Sequence, residues 1–309
     1  MGQESVDSGI GDERQRVAVT TDKPYSGIAH LIHENGIEIG TGFLVKHGGG
    51  TFLVTAAHCL WDKKKRALIA KIHISLGRDE TRHPFGTITK KAVDFEVPRE
   101  YMETRDRKND YGIIRLDKEK HKVDECCAFD LEPRTDEYIE SQDLYMAGYP
   151  GIPEEQKEGV PGCPPGTQWE IQLTTVTVNE RRLHYRDATT PGNSGSPVYE
   201  LKNGRYVAHG IHTHGIGEDQ TSNSAVRIDV DALMELVKPT SHGTRPQDSP
   251  PQQDGNAPND NHSEPEKLGW FQYLWNMVTS LLYVPLKIVT LLSQSAAPVW
   301  KSIVAFFSA

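Results

Sequence analysis

The chain has 309 residues, a formal net charge of -9 and a hydrophobic fraction of 36 %. This length allows two packed domains of ordinary size or one large one. The acidic balance argues against a general nucleic-acid-binding protein, because such a protein needs a basic surface to neutralise phosphates. No nucleic-acid partner is therefore expected.

Residues 1–23 are polar and are expected to form a flexible N-terminal segment. They lack the basic and apolar regions of a secretory signal peptide. The four cysteines, Cys59, Cys126, Cys127 and Cys163, form neither a regular disulfide framework nor a C-x-x-C zinc motif. We therefore expect the protein to lie in a reducing compartment, the cytoplasm, with secretion as the alternative. We expect it to need no metal or cofactor.

Short strand-like runs alternate with turn residues from about Pro24 to Lys238. Ile28–His33 and Ile37–Val45 flank the Asn35-Gly36 pair, which strongly favours a β-hairpin. The other predicted strands are Thr51–Ala56, Ala67–Leu76, Thr87–Val97, Tyr111–Leu116, Asp143–Ala147, Gln168–Val178, Pro197–Glu200, Tyr206–Ile211 and Ala225–Ile228.

This pattern predicts an all-β fold of two small β-barrels, since many short strands separated by turns are typical of barrels and sandwiches. The barrels are expected over residues 24–118 and 119–238, with their joint in the charged stretch from Asp117 to Glu137. A C-terminal helix is predicted over Val230–Val237, with Asp229 as its N-cap.

Two segments of different composition follow the barrels. Residues 239–267 are rich in Pro, Gln, Asn and Asp, and we expect a disordered linker. Residues 268–309 are apolar, with Lys287 and Lys301 as their charges. Trp270–Leu292 is long enough to span a hydrocarbon core of about 30 Å, although a proline and a lysine interrupt it. The tail is therefore expected to contact a membrane, and the alternative is an apolar segment that packs on the rest of the chain or self-associates.

Three short motifs carry the side chains that nucleophilic catalysis needs. They are Thr55-Ala56-Ala57-His58-Cys59, Asn109-Asp110-Tyr111-Gly112 and Pro191-Gly192-Asn193-Ser194-Gly195-Ser196-Pro197. A nucleophilic serine needs a base within hydrogen-bond reach, and the base needs an acceptor that fixes its tautomer. Ser194, His58 and Asp110 supply these residue types. Taken singly, each motif is also compatible with a polar strand-end histidine, a turn-capping aspartate or an ordinary loop.

The glycines beside Ser194 suit a tight turn that presents backbone N–H groups to a developing oxyanion. We expect the N–H groups of Gly192 and Ser194 to be the donors. Gly195 is expected to let the next strand pass close behind the nucleophile.

These motifs, together with Gly210-Ile211-His212-Thr213-His214-Gly215, resemble the chymotrypsin-like serine proteases and more closely their V8-like glutamyl endopeptidase branch. The resemblance covers about residues 24–238 and implies two six-stranded antiparallel β-barrels with the site at their junction. It implies that His58 is the general base, Asp110 the orienting acid and Ser194 the nucleophile.

Three positions depart from the vertebrate digestive enzymes of this family. Phe43 stands where they place the cysteine that pairs with the one after the catalytic histidine. Asn193 replaces the aspartate that binds a freed N-terminus, so an ion-pair zymogen switch is not expected. Ala188 replaces the carboxylate of trypsin-like pockets, which argues against cleavage after Lys or Arg. The V8-like branch shares the first two departures.

Within the V8-like resemblance, Thr189, His212 and Gly215 are assigned to the substrate pocket. An imidazole and a hydroxyl can bind a substrate carboxylate, so cleavage after Glu, and more weakly after Asp, is expected. His212 and His214 would share one face of a strand. A packed polar histidine and a metal ligand are the alternatives for His212. V8-like enzymes also use their mature N-terminal amine in glutamate recognition.

The sequence thus predicts a serine endopeptidase acting on protein or peptide substrates. Two alternatives belong to other classes. One is a catalytically silent binding module that keeps the protease fold. The other is a membrane-disrupting effector in which residues 268–309 are the active part.

Overall fold

The computed structural model describes residues 13–116, 119–151, 163–216 and 222–238. The predicted linker and apolar tail lie outside the described residues, as do the first twelve residues. In the described part of the chain, no helix has both the length and the apolar character needed to cross a membrane.

The described residues are mainly β-structure. In chain order the strands are β1 (Gln15–Arg16), β2 (Ile28–His33), β3 (Glu38–His47), β4 (Gly50–Thr55), β5 (Trp61–Asp62), β6 (Ala67–Leu68), β7 (Lys71–Leu76), β8 (Ile88–Lys91), β9 (Phe95–Glu96), β10 (Gly112–Arg115), β11 (Tyr145–Gly148), β12 (Trp169–Gln172), β13 (Thr177–Asn179), β14 (Arg182–Tyr185), β15 (Pro197–Lys202), β16 (Arg205–His214) and β17 (Asn223–Arg227). The α-helices are α1 (Arg99–Thr104), α2 (Lys120–Val123), α3 (Asp136–Glu140) and α4 (Val230–Glu235).

The first sheet has the strand order β8-β7-β2-β3-β4-β10-β9. Its central hairpin pairs Ile28 of β2 with Phe43 of β3, and Phe43 also pairs with Val54 of β4. All three side chains are fully buried. Because successive side chains of a strand point to opposite faces of the sheet, these residues form an apolar face that packs in the core. Strand β4 leads into the His58 turn, and the connection from β9 to β10 carries Asp110.

The second sheet has the strand order β1-β12-β11-β15-β16-β17-β14-β13. Its own apolar cluster includes Leu144, Ile171, Leu183 and Val198. The loop from β14 to β15 carries Ser194. The all-β, barrel-like class predicted from the sequence is confirmed. The first sheet uses strands between β2 and β10, and the second uses β11 to β17 together with β1.

The number of strands in each sheet differs from the six per barrel that the family resemblance implies. The described residues contain seven strands in the first sheet and eight in the second, because short edge strands extend both. One of them corrects the expectation of a flexible segment through residue 23. Gln15 and Arg16 pair with Glu170 and Trp169 of β12, and Val17 is buried.

Most predicted strands are present, but three of the longer ones are each split in two. Ala67–Leu76, Thr87–Val97 and Gln168–Val178 are interrupted by turns, which apolar content alone does not mark. Strands β1, β5 and β14 and helices α1, α2 and α3 were not predicted, because they are short. The C-terminal helix is confirmed, with the Asp229 carboxylate accepting a hydrogen bond from the Ala232 N–H at 3.1 Å.

Candidate active site

His58 and Asp110 are held together by two hydrogen bonds. His58 lies in a single 3-10 turn, Ala57–Cys59, just after β4, and Asp110 directly follows a second 3-10 turn, Arg107–Asn109. The His58 ring Nδ1 lies 2.8 Å from Asp110 Oδ2, and the His58 backbone N–H donates to Asp110 Oδ1 at 2.9 Å. Since Asp110 is fully buried and His58 is a third exposed, the ring has a free side toward solvent.

The electrostatics of this pair favour a charged Asp110. Burial raises the pKa of the Asp110 carboxyl, but the charge and hydrogen bonds of His58 outweigh burial and leave that pKa below its usual value. Burial lowers the pKa of His58, yet the Cys59 sulfur and the Asp110 carboxylate outweigh it, and the His58 pKa lies well above its usual value. Asp110 thus stabilises the imidazolium form of His58.

The Ser194 loop needs two glycines in the left-handed region, with φ of +100° at Gly192 and +89° at Gly195. A Cβ on Gly192 would lie 2.3 Å from the Tyr149 carbonyl oxygen, and one on Gly195 would lie 1.9 Å from the Thr41 carbonyl oxygen. The predicted close approach at Gly195 is therefore present. The strand behind it is β3, from the first sheet, and not the strand that follows Ser194.

The junction of the two sheets brings Ser194 next to the turn that carries His58. The Ser194 carbonyl oxygen accepts a hydrogen bond from the Thr41 N–H at 2.7 Å and lies 3.8 Å from Cys59 Sγ. Gly40 makes this packing possible, because a Cβ there would lie 2.6 Å from the Ser194 oxygen and 2.8 Å from Cys59 Sγ. The backbone of Ser194 therefore packs against the turn that carries His58, the partner of Asp110.

The backbone N–H groups of the Ser194 loop divide into two sets. Those of Asn193, Gly195 and Ser196 donate to backbone carbonyl oxygens at 3.1, 2.7 and 2.9 Å. Within the described residues, the N–H groups of Gly192 and Ser194 have no such acceptor. These are the two groups expected to bind an oxyanion.

His212 is buried beneath this loop, with 3 % of its surface exposed. Its Nδ1 lies 2.5 Å from the Tyr185 hydroxyl. Burial, with smaller contributions from His214 and His58, lowers the pKa of His212 to about 3, and burial raises that of Tyr185 well above its usual value. Both side chains are therefore neutral near pH 7. A neutral His212 carries one ring proton, and the Tyr185 hydroxyl can be donor or acceptor to Nδ1; when the hydroxyl donates, the proton of His212 is on Nε2.

Thr189 and Gly215 lie together at the edge of the same region. The Thr189 hydroxyl donates to Asn223 Oδ1 at 2.9 Å, and the Ile216 N–H donates to the same oxygen at 2.8 Å. A Cβ on Gly215 would lie 3.5 Å from Thr189 Oγ1 and 3.7 Å from Asn223 Oδ1. Asn223 thus links the two predicted pocket residues.

His212 and His214 do not share a face as expected. Strand β16 has an irregular register between them against β17, so strict alternation is lost. His214 Nε2 lies 3.9 Å from Asp110 Oδ2, and its ring centroid lies 6.0 Å from that of His58. His214 therefore belongs to the His58–Asp110 side of the site.

Tyr185 and Asn223 are site residues that the sequence pattern did not predict. Their pairing across β14 and β17 brings them together, and β14 was not among the predicted strands. In the described ranges, no group of three or more His, Cys, Asp or Glu side chains is arranged to hold a metal ion. All four cysteines are buried.

Comparison with known proteins gives a consistent result. Residues 40–208 match the trypsin-like peptidase domain family. The chain is 27 % identical over 239 residues to a glutamyl endopeptidase of Bacillus licheniformis, covering 75 % of this chain and 69 % of that protein. It is 25 % identical over 222 residues to a glutamyl endopeptidase of Staphylococcus epidermidis, covering 70 % of this chain and 68 % of that protein.

Two solved structures share the fold. A Glu endopeptidase in complex with MPD superposes with a TM-score of 0.58 at 24 % identity, covering 74 % of this chain and 95 % of that one. The protease Anisep from Arthrobacter nicotinovorans gives a TM-score of 0.53 at 14 % identity, covering 72 % of this chain and 97 % of that one.

Proposed function

This chain belongs to the trypsin-like peptidase domain family and is a V8-like serine protease, and from this premise we propose that it is an endopeptidase with His58, Asp110 and Ser194 as its triad. The observation that carries the proposal is the double hydrogen bond from His58 to the buried Asp110 carboxylate, at 2.8 and 2.9 Å. This arrangement fixes the His58 proton on Nδ1 and leaves Nε2 to act as a base.

The proposed reaction has two stages. In the first, Ser194 Oγ attacks the scissile carbonyl, and His58 Nε2 takes the hydroxyl proton. The amides of Gly192 and Ser194 stabilise the oxyanion. His58 returns the proton to the leaving amine, and an acyl-enzyme remains. In the second stage, His58 activates a water that hydrolyses the ester and frees Ser194.

We propose that the cleaved bond follows glutamate and, more weakly, aspartate. Support comes from the neutral His212, whose Nδ1 is hydrogen-bonded to the Tyr185 hydroxyl and whose ring, in the Nε2–H tautomer, can donate to a carboxylate. Thr189 and Gly215 lie beside each other and border the same region. The named activity of the relatives, glutamyl endopeptidase, points the same way.

Covalent labelling tests the triad without knowledge of the substrate. A fluorophosphonate reacts with a serine that a neighbouring base activates, so the native full-length chain should be labelled at Ser194. Ser194→Ala and His58→Gln should abolish labelling. Ser196→Ala is the matched control, because Ser196 lies in the same loop and its buried Oγ has no partner in the described residues. An unlabelled native chain would favour the binding-module alternative.

A further inference from the structure

A turn of four basic residues follows His58 closely in the chain. Lys63, Lys64, Lys65 and Arg66 connect β5 to β6, and all four residues are exposed. The whole chain has a formal charge of -9, so four consecutive cations on one turn locally reverse the sign of its surface charge. We call residues 63–66 the basic turn.

The basic turn uses one aspartate for its own structure. Asp62 Oδ1 accepts hydrogen bonds from the N–H groups of Lys64 and Lys65 at 2.9 and 3.1 Å. The Lys65 ammonium lies 3.6 Å from Asp62 Oδ2, so this carboxylate is already engaged within the turn. Among the described residues, Lys63, Lys64 and Arg66 have no ion-pair partner. Three charges of the basic turn are therefore available to a partner from outside.

The base of the basic turn is fixed to the segment that carries His58. Strand β5 pairs with β6, the Ile69 N–H donates to the Leu60 carbonyl at 2.8 Å, and Leu60 is fully buried. Strand β5 also packs on the 3-10 turn that contains His58. Lys64 is six positions from His58 in the sequence, so their Cα atoms lie at most about 22 Å apart.

Arg105 extends the positive surface toward the candidate active site. Its Cζ lies 5.0 Å from the centroid of the Trp61 ring in β5 and 5.5 Å from that of the Tyr101 ring. Its Nη1 donates to the Tyr101 carbonyl at 2.7 Å, and within the described ranges it has no carboxylate partner. Burial, and then the charge of Asp110, raises the pKa of the Tyr101 hydroxyl, so Tyr101 lies near the His58–Asp110 pair.

An acidic polypeptide segment suits this surface. A peptide bound for cleavage passes beside His58, and an extended chain covers about 22 Å in roughly six residues. Carboxylates within about six positions of the cleaved bond can therefore reach the basic turn, and opposite charge speeds their association. An anionic membrane would attract the same cations, but the proposed reaction itself brings a polypeptide to this place.

We propose that the basic turn and Arg105 form an exosite that binds an acidic segment of the substrate outside the pocket for the cleaved residue. This inference rests on the proposed endopeptidase function. Because its charges are exposed, the exosite acts mainly on association and is screened by salt. It selects substrates by the residues around the cleaved bond, whereas His212 and Thr189 select the cleaved residue itself.

The test uses the full-length chain and two peptides that each contain one Glu. Three to six positions from this Glu, on both sides, one peptide carries Asp and the other carries Asn. The test variant removes three charges of the basic turn and combines Lys63→Gln, Lys64→Gln and Arg66→Gln. Cleavage at the Glu bond is followed by mass spectrometry, and urea unfolding checks that the variant is folded.

A control variant separates the position of the charges from the net charge of the chain. It removes the same number of charges from exposed lysines on other elements and combines Lys23→Gln, Lys91→Gln and Lys122→Gln. Both variants therefore have the same formal charge, and only one of them changes the basic turn.

At low salt, the native chain should cleave the Asp peptide with a kcat/KM about tenfold above that for the Asn peptide. Salt at about 0.5 M should remove most of this difference. The test variant should reduce the ratio below about threefold, mainly through a higher KM, and the control variant should retain the native ratio. A native ratio near one, or a ratio that the test variant retains, would overturn the exosite and leave the endopeptidase proposal in place.

A binding measurement separates failure of the exosite from failure of the proposed function. Fluorescence anisotropy of the labelled Asp peptide with Ser194→Ala should give a Kd about fivefold weaker once the three turn substitutions are added. If the native chain cleaves neither peptide but this difference in Kd is found, the endopeptidase proposal fails and the basic turn remains a binding surface for acidic peptides. Equal peptide binding, with weaker binding of the test variant to phosphatidylserine vesicles, would overturn the exosite in favour of a membrane contact.

Discussion

The Asp110 carboxylate contacts His58 at two points, with Oδ2 2.8 Å from the ring Nδ1 and Oδ1 2.9 Å from the backbone nitrogen. The backbone bond fixes the turn that carries His58, and the ring bond fixes its tautomer and orientation. One buried carboxylate therefore sets both the position and the protonation of the proposed base.

Substitution of Asp110 by asparagine should lower kcat by about 10⁴-fold while the chain stays folded, because an amide can stabilise the wrong tautomer of His58. The measurement is single-turnover kinetics on a cleavable peptide, with circular dichroism as the check on folding. A loss of activity below about tenfold would show that Asp110 does not orient the base.

The pH profile of kcat/KM should have a rising limb whose midpoint lies above the ordinary histidine pKa of about 6.5, since Asp110 raises the pKa of His58 and the neutral ring is the active form. In Asp110→Asn the residual activity should show a midpoint shifted to lower pH. A native midpoint at or below about 6.5 would contradict the coupling described here.

Tyr185→Phe should lower the ratio of kcat/KM for matched Glu and Gln peptides by about tenfold, because His212 Nδ1 loses the hydroxyl partner that orients its ring. Tyr206→Phe serves as a control, since its hydroxyl donates to the Lys23 carbonyl at 3.3 Å. If both variants keep the native ratio, Tyr185 does not set the state of the pocket histidine.

Gly195→Ala should destabilise the protein by about 3 kcal/mol or more, because a Cβ would lie 1.9 Å from the Thr41 carbonyl oxygen and 2.3 Å from Thr55 Oγ1. Gly204→Ala is the matched control, with φ of +76° and no atom within 4 Å of the added carbon. It should cost only about 1–2 kcal/mol for the left-handed backbone. Urea unfolding of the two variants should differ clearly, and equal midpoints would contradict the packing at Gly195.

The protein should lose stability as the pH falls from about 6.5 toward 4. Burial lowers the pKa of His30 and of His212 to about 3 and that of His214 to about 4. In this range the unfolded chain takes up protons that the folded chain does not, at about 1.4 kcal/mol per pH unit for each histidine. His58, with a raised pKa, is charged in both states below pH 6 and does not oppose the trend. Urea midpoints of Ser194→Ala that stay constant from pH 6.5 to 4.5 would contradict this account.

The sequence predicted the fold class and brought His58, Asp110 and Ser194 forward as candidates, because each lies in a short motif whose local residues define its turn. Tyr185 and Arg105 could not be identified in this way. Their contacts depend on strand register and on segments far apart in the chain. The split strands and the short edge strands were missed for a related reason, since tertiary pairing decides where such short elements begin and end.

The most direct test of the central proposal is a digest of a proteome-derived peptide library by the full-length chain and by Ser194→Ala, with cleavage sites read by mass spectrometry. We predict cleavage after Glu, and less often after Asp, by the native chain alone. Cleavage after other residues that depends on Ser194 would retain the triad and contradict the role of His212 and Thr189. Equal cleavage by both proteins, or none by either, would contradict the proposed catalytic role of Ser194.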